Sequence, residues 1–136
     1  MTPLEEGEGD AALLDLLDQV VRERLISEVP LGAFLSGGVD SAAVVTSMRG
    51  HADPLVCLSV GFAERSHDEL EFARLTAGRV GALHHEEVLG PESGLGEGDL
   101  AWHFDEPLAD PSTVPTYLVS KMARKHVTVA LSGDGG

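Results

Sequence analysis

The chain has 136 residues, 43% of them hydrophobic, enough to bury one core and suited to one domain or part of one. Nine Lys and Arg against 23 Asp and Glu leave a net charge of −14. That balance disfavours nucleic acid as a partner, since such binding is driven by cations on phosphates. The N-terminus is acidic where a signal peptide would be basic, no apolar run approaches a membrane span, and the lone Cys57 can form no intrachain disulfide. A cytoplasmic location is expected.

Residues 1–10 are polar, acidic and glycine-bearing, and read as a tail or linker ahead of a folded part at 11–136. Asp10 is placed to cap a helix over 11–27 that would cover the sheet, with Leu14, Leu17, Val21 and Leu25 as its apolar face. Arg22 and Arg24 fall at its cation-favouring end, and Pro30 stops it. The apolar run at 31–35 predicts a buried strand, and 41–48 a helix stopped by Gly50. A second strand is expected over 55–62, then a helix over 69–80 capped by Asp68 and burying Leu70, Ala73, Leu75 and Val80. A short strand over 84–89 and a glycine-bearing loop at 90–99 follow. After an irregular acidic, proline-bearing segment comes a helix from 113 or 114 to 125, with Ser112 as cap, and a fourth strand over 127–131, apolar but for Thr128.

Strands alternating with helices at this spacing predict an α/β fold: a parallel sheet with helices on both faces, in three layers. Ligands of such sheets gather at the carboxyl ends of the strands. His84 and His85 are neighbours on a strand and point to opposite faces, and the other four histidines are scattered, so no zinc site is expected.

The stretch LGAFLSGGVDSAAVVTSM, residues 31–48, holds the chemistry. A strand feeding a glycine-rich turn and then a helix start makes backbone amides converge on an anion. Gly37 and Gly38 let the backbone approach phosphate oxygens, and Ser36 and Ser41 add hydroxyls. Asp40 would repel a phosphate unless a divalent cation, Mg²⁺ above others, stood between them. A Walker A loop needs a lysine that is absent, and neither G-x-G-x-x-G nor G-x-S-x-G is present. Val60 and Gly61, closing the second strand, offer backbone groups to an adenine edge, with Val60 as ordinary core the competing reading. The fourth strand ends in Ser132, Gly133 and Asp134, a second strand-to-glycine corner. Two such corners suggest one site assembled from two strand ends.

The SGGVDS loop resembles the PP-loop of the ATP pyrophosphatases, which cleave ATP between its α and β phosphates. The ordered set VPLGAFLSGGVDS, LSVGF, FDEPLADPSTVPTYLVSKMAR and VTVALSGDGG resembles more closely the synthetase domain of the glutamine-hydrolysing asparagine synthetase family. That resemblance implies ATP and Mg²⁺, with Leu35, Val60, Ser132 and Gly133 at the adenosine part. Ser36, Gly37, Gly38, Val39, Asp40 and Ser41 would hold pyrophosphate, with Asp40 on the metal, and Asp134 would lie close to the reacting phosphate. It implies adenylation of the aspartate side-chain carboxylate, followed by attack of glutamine-derived ammonia. Homodimerisation of a full-length protein is compatible with it.

The family pattern also includes a glutaminase domain with a terminal nucleophilic cysteine, and runs on past the last glycine to a second acidic metal ligand and a lysine for pyrophosphate. The sequence lacks these, so a truncated fold is expected: a fragment inactive or nearly so alone, with its fourth strand incompletely covered. Two other readings stand beside the synthetase: another PP-loop enzyme, such as a β-lactam synthetase or a tRNA modifier (the latter disfavoured by charge), and an ATP-binding module without catalysis.

Overall fold

Cys57 and Leu58 are consecutive residues of one strand, and they are 0% and 1% exposed. Side chains alternate across a strand, so this strand is covered on both faces. The computed structural model describes residues 8–62, 67–89, 102–103, 110 and 112–133. Its elements run α1 (Glu8–Arg24), β1 (Leu31–Phe34), α2 (Val39–Met48), β2 (Val56–Phe62), α3 (His67–Val80), β3 (Leu83–Leu89), α4 (Thr113–Ala123) and β4 (Val129–Leu131). The four strands form one parallel sheet in the order β3-β2-β1-β4.

The alternation sorts the core into two halves. Ala33, Leu35 and Cys57 look to one face, where Val45 and Met48 of α2 and Ala73, Ala77 and Val80 of α3 pack on them, and Val21 of α1 joins the same cluster. Leu58 looks to the other, against Met122, Ala123 and Val127, with Phe34, Val60, Val119 and Ala130 around them. This is the expected three-layer α/β arrangement, with α1 to α3 on one side and α4 on the other.

Several expectations are corrected. Helix α1 starts at Glu8 and ends at Arg24, so Asp10 lies inside it rather than at its cap. It packs on α2 rather than over the sheet. Contact with a single helix needs only a narrow stripe: Val21 is buried, Leu17 and Leu25 flank it, and Leu14 is exposed. On α3, Leu70, Ala73, Ala77 and Val80 keep the three-and-four spacing of one face. Leu75, two residues past Ala73, is turned about the helix to the opposite side and is 52% exposed. Helix α2 begins at Val39, two residues early, which shortens the loop before it. Ser112 precedes α4 without a side-chain cap; its own amide goes to Asp110 Oδ1 at 2.8 Å instead. Strand β4 is three residues long, because the amides of Thr128 and Val129 both turn to the Pro30 carbonyl, at 2.8 and 3.2 Å.

The paired histidines do point to opposite faces: His84 meets Ser59, and His85 stacks on His126 with ring centroids 3.7 Å apart. Among the described residues no three His, Cys, Asp or Glu side chains gather to hold a metal. No helix among them is long and apolar enough to cross a membrane. Cys57 is buried, and burial pushes its thiol up to about 11.

Candidate functional site

From β1 the chain steps outward to β2 and β3, then returns to place β4 on the other side of β1. Where strand order reverses in this way, the loops leaving the strands part and open a crevice at the carboxyl ends. A cleft of about 390 Å³ lies there, within the size range of small-ligand sites. Its wall includes Leu35, Ser36, Gly38, Asp40 and Ser41 from the first corner and Ser132 and Gly133 from the second. Phe34, Leu58 and Val60 supply an apolar floor, and Pro115, Thr116 and Val119 of α4 close the far side.

The first corner is held by its own serines. Ser41 is buried; its Oγ accepts from the Ser36 amide at 3.2 Å and donates to the Gly38 carbonyl at 3.1 Å. The two hydroxyls of Ser36 and Ser41 lie 3.0 Å apart, and the Gly38 amide donates to Ser36 Oγ at 3.3 Å. Helix α2 opens at Gly38 without a side-chain cap, and its first intrahelical amide bond is Ala42 to Gly38 at 3.1 Å. The amides ahead of it lack helical acceptors, as at any helix start, and carry the positive end of the helix dipole.

Gly37 turns the chain with φ of 86°, where a side chain is strained, and any Cβ there would strike the carbonyl of Glu69. The loop is thus seated on the start of α3. Gly133 comes so close to α2 that a Cβ on it would lie 2.8 Å from the Ser41 nitrogen.

Of the expected site residues, Leu35, Ser36, Gly38, Asp40, Ser41, Val60, Ser132 and Gly133 border one cleft. Gly37, Val39 and Gly61 do not: Gly37 shapes the loop from behind, Val39 is 80% exposed beside it, and Gly61 is buried in β2 opposite Val88 of β3. Asp134 lies outside the described residues. Val60 is a partly buried floor residue packed beside Leu58. The Leu58 carbonyl accepts from Leu35 N at 2.9 Å. By the two-residue alternation, the backbone groups of Val60 point the same way, toward the line that β1 has already left.

The cleft's described lining carries no cationic side chain and one carboxylate, Asp40, in the first turn of α2. Amides, hydroxyls and a single carboxylate suit a hard cation shared with an anionic ligand, because Mg²⁺ is commonly held by one or two carboxylates plus phosphate oxygens. The donor set therefore fits a magnesium–phosphate ligand with Asp40 as the protein's contribution.

Sequence reasoning missed the α4 wall and Ser59. Pro115, Thr116 and Val119 sit in the PTYLVS segment that carried much of the resemblance, which was a signal for the wall. Ser59 gave none, since a serine inside an apolar strand reads as filler.

The asparagine synthase family model matches residues 12–136. An asparagine synthetase [glutamine-hydrolyzing] 1 of Bacillus subtilis is 43% identical over 122 residues, which cover 89% of this chain and 19% of that protein. A putative asparagine synthetase [glutamine-hydrolyzing] 2 of Methanocaldococcus jannaschii is also 43% identical, over 89% of this chain and 24% of its own length. The chain thus spans about a fifth to a quarter of the curated relatives it matches. Among solved structures, a glutamine-dependent NAD+ synthetase from Acinetobacter baumannii in complex with ADP aligns with a TM-score of 0.61 at 21% identity, over 93% of this chain and 25% of the other. At that identity the likeness is one of fold.

Proposed function

The chain belongs to the asparagine synthase family, and from that premise we propose that its strand-end cleft binds ATP for adenylation of a carboxylate in asparagine synthesis. The observation that carries the proposal is the meeting of the two corners, SGGVDS after β1 and SG after β4, on one cleft with an apolar floor. The floor of Phe34, Leu58 and Val60 suits adenine, with the Val60 backbone at its edge. The Ser36 hydroxyl and the amides at the start of α2 suit the departing pyrophosphate, on a loop that the Ser41 hydroxyl holds in shape.

In this reading the β-carboxylate of aspartate attacks the α-phosphate, giving β-aspartyl-AMP and pyrophosphate. Ammonia from glutamine then displaces AMP. No protein nucleophile is required; the demands are alignment of the attacking oxygen and neutralisation of charge on the leaving group. The amides at the start of α2 orient the β and γ phosphates, and Asp40 would hold Mg²⁺, which lowers the charge the leaving group presents. Asp134, one residue beyond Gly133, would stand near the reacting phosphate. The reading extends to a cytoplasmic, dimeric whole protein that supplies ammonia from its own glutaminase.

The test is pyrophosphate release by the full-length protein that carries this segment. Release should require aspartate, ATP and Mg²⁺ together, and Asp40→Asn should lower it on the order of a hundredfold or more while leaving the thermal midpoint unchanged. Release with a different carboxylate and none with aspartate would make the protein another PP-loop enzyme. ATP binding without release for any amino acid would make it a binding module.

A further inference from the structure

Two polar side chains are buried among the described residues, Ser41 and Ser59. They reach the same peptide unit from opposite sides. Ser59 Oγ donates to the Leu35 carbonyl at 2.5 Å, and the amide of the next residue, Ser36, donates to Ser41 Oγ at 3.2 Å. The carbonyl of Leu35 and the N–H of Ser36 belong to one rigid plane. That plane is the point where β1 leaves the sheet and the loop begins.

Ser59 has a second partner. Its Oγ lies 2.8 Å from Nε2 of His84, on the neighbouring strand β3. A serine hydroxyl carries one proton, and here the Leu35 carbonyl takes it, because a carbonyl can only accept. The ring nitrogen must therefore donate, which fixes His84 as the Nε2–H form. Burial lowers the pKa of this histidine, with Glu86 opposing and Arg74 and His85 assisting, so a neutral ring with that one tautomer is the resting state at neutral pH.

We propose that His84 and Ser59 are positioning residues for the anion-binding loop. The chain from His84 Nε2–H to Ser59 Oγ–H to the Leu35 carbonyl clamps the first peptide of the loop, and Ser41 clamps its other side. Neither His84 nor Ser59 lines the cleft; they act through the direction they give to the peptide on which residues 36–38 hang. The inference rests on the reading of this loop as the phosphate site, and it adds a dependence on β3 that the loop's own residues do not contain. Precise placement of binding groups by their supporting hydrogen bonds is where such outer partners act, with losses of about 10- to 100-fold on removal in comparable metal sites.

The experiment uses the full-length protein that carries this segment and three probes: MgATP, magnesium pyrophosphate and adenosine. Ser59→Ala and His84→Leu should weaken pyrophosphate by about tenfold and leave adenosine within about twofold. His84→Gln, which keeps an N–H near the Nε2 position, should restore most of the loss. Pyrophosphate binding unchanged in Ser59→Ala would overturn the proposal, as would equal loss of pyrophosphate and adenosine. A second arm needs no variant and no ligand: the ¹⁵N shifts of the His84 ring should report a protonated Nε2, and a protonated Nδ1 overturns the clamp. A parent chain that binds neither ATP nor pyrophosphate overturns the phosphate reading and the positioning role with it, while the tautomer still decides the hydrogen-bond chain.

Discussion

Gly133 stands against the backbone of Ser41, close enough that a Cβ on the glycine would lie 2.8 Å from the serine nitrogen and 3.1 Å from the carbonyl carbon of Asp40. The corner that follows β4 is thereby packed on the first turn of α2, with only hydrogen atoms to spare. Backbone cannot yield there as a side-chain tip would, so the two corners hold one fixed spacing.

Gly133→Ala tests that contact. Overpacking a tight site costs about 1–3 kcal/mol, and here the strain falls on the helix start that faces the cleft. The urea midpoint should drop and ATP affinity should fall with it. An alanine variant with parent stability would mean the corners can move apart freely.

Gly37 and Gly38 should respond differently to the same change. At Gly37 a Cβ meets both a φ of 86° and the Glu69 carbonyl, so Gly37→Ala should cost about 1–3 kcal/mol in a denaturant titration. At Gly38 the nearest atom to a Cβ is the Ser36 hydroxyl at 3.3 Å, the end of a small side chain that can turn. Gly38→Ala should leave stability within about 1 kcal/mol of the parent and act on anion binding instead.

Stability should decline as pH falls below the ordinary histidine value. Burial lowers the pKa of both His84 and His85 from 6.5, with His126 assisting at His85. The unfolded chain then binds more protons than the folded one between 6.5 and the lowered values, so unfolding free energy decreases with falling pH across that window. Above 6.5 both states hold neutral rings and the effect vanishes. Unfolding titrations between pH 7.5 and 5 on the parent and on His84→Gln/His85→Gln check this; the variant's curve should be the flatter one. The lowered carboxylates of Asp18 and Glu86 act only at lower pH, near and below their ordinary values of 3.8 and 4.5.

Cys57 provides a probe of the sheet itself. It is fully buried, with the thiol pushed up to about 11, and the thiolate is the reactive form. A thiol reagent at pH 8 should label it at the rate of opening of the sheet, and at once in denaturant. Prompt labelling of the native chain would contradict the two-sided burial of β2.

What could be read from the sequence was what is local. The SGGVDS corner is six consecutive residues whose types dictate a turn and a helix start, and the α/β order follows from apolar runs such as VCLSVGF. What escaped depends on which element lies beside which. Leu14 and Leu75 look core-like by residue type, yet α1 packs chiefly on α2 and Leu75 falls off the stripe that Ala73 and Ala77 define. The α4 wall and the Ser59–His84 bond need the knowledge that β2 lies between β1 and β3 and that α4 crosses the far face. The closeness of Gly133 to Ser41 was expected only as two strand ends sharing a site; the contact itself belongs to the β1–β4 pairing.

The most direct measurement is an amide-resolved NMR titration of the chain with MgATP. Amides of residues 36–41 and of residues 132–133 should shift together, with one binding curve, and added pyrophosphate should reverse the shifts of residues 132–133 while the loop amides stay shifted. Shifts confined to one corner, or two corners that titrate with different affinities, would contradict a single shared site.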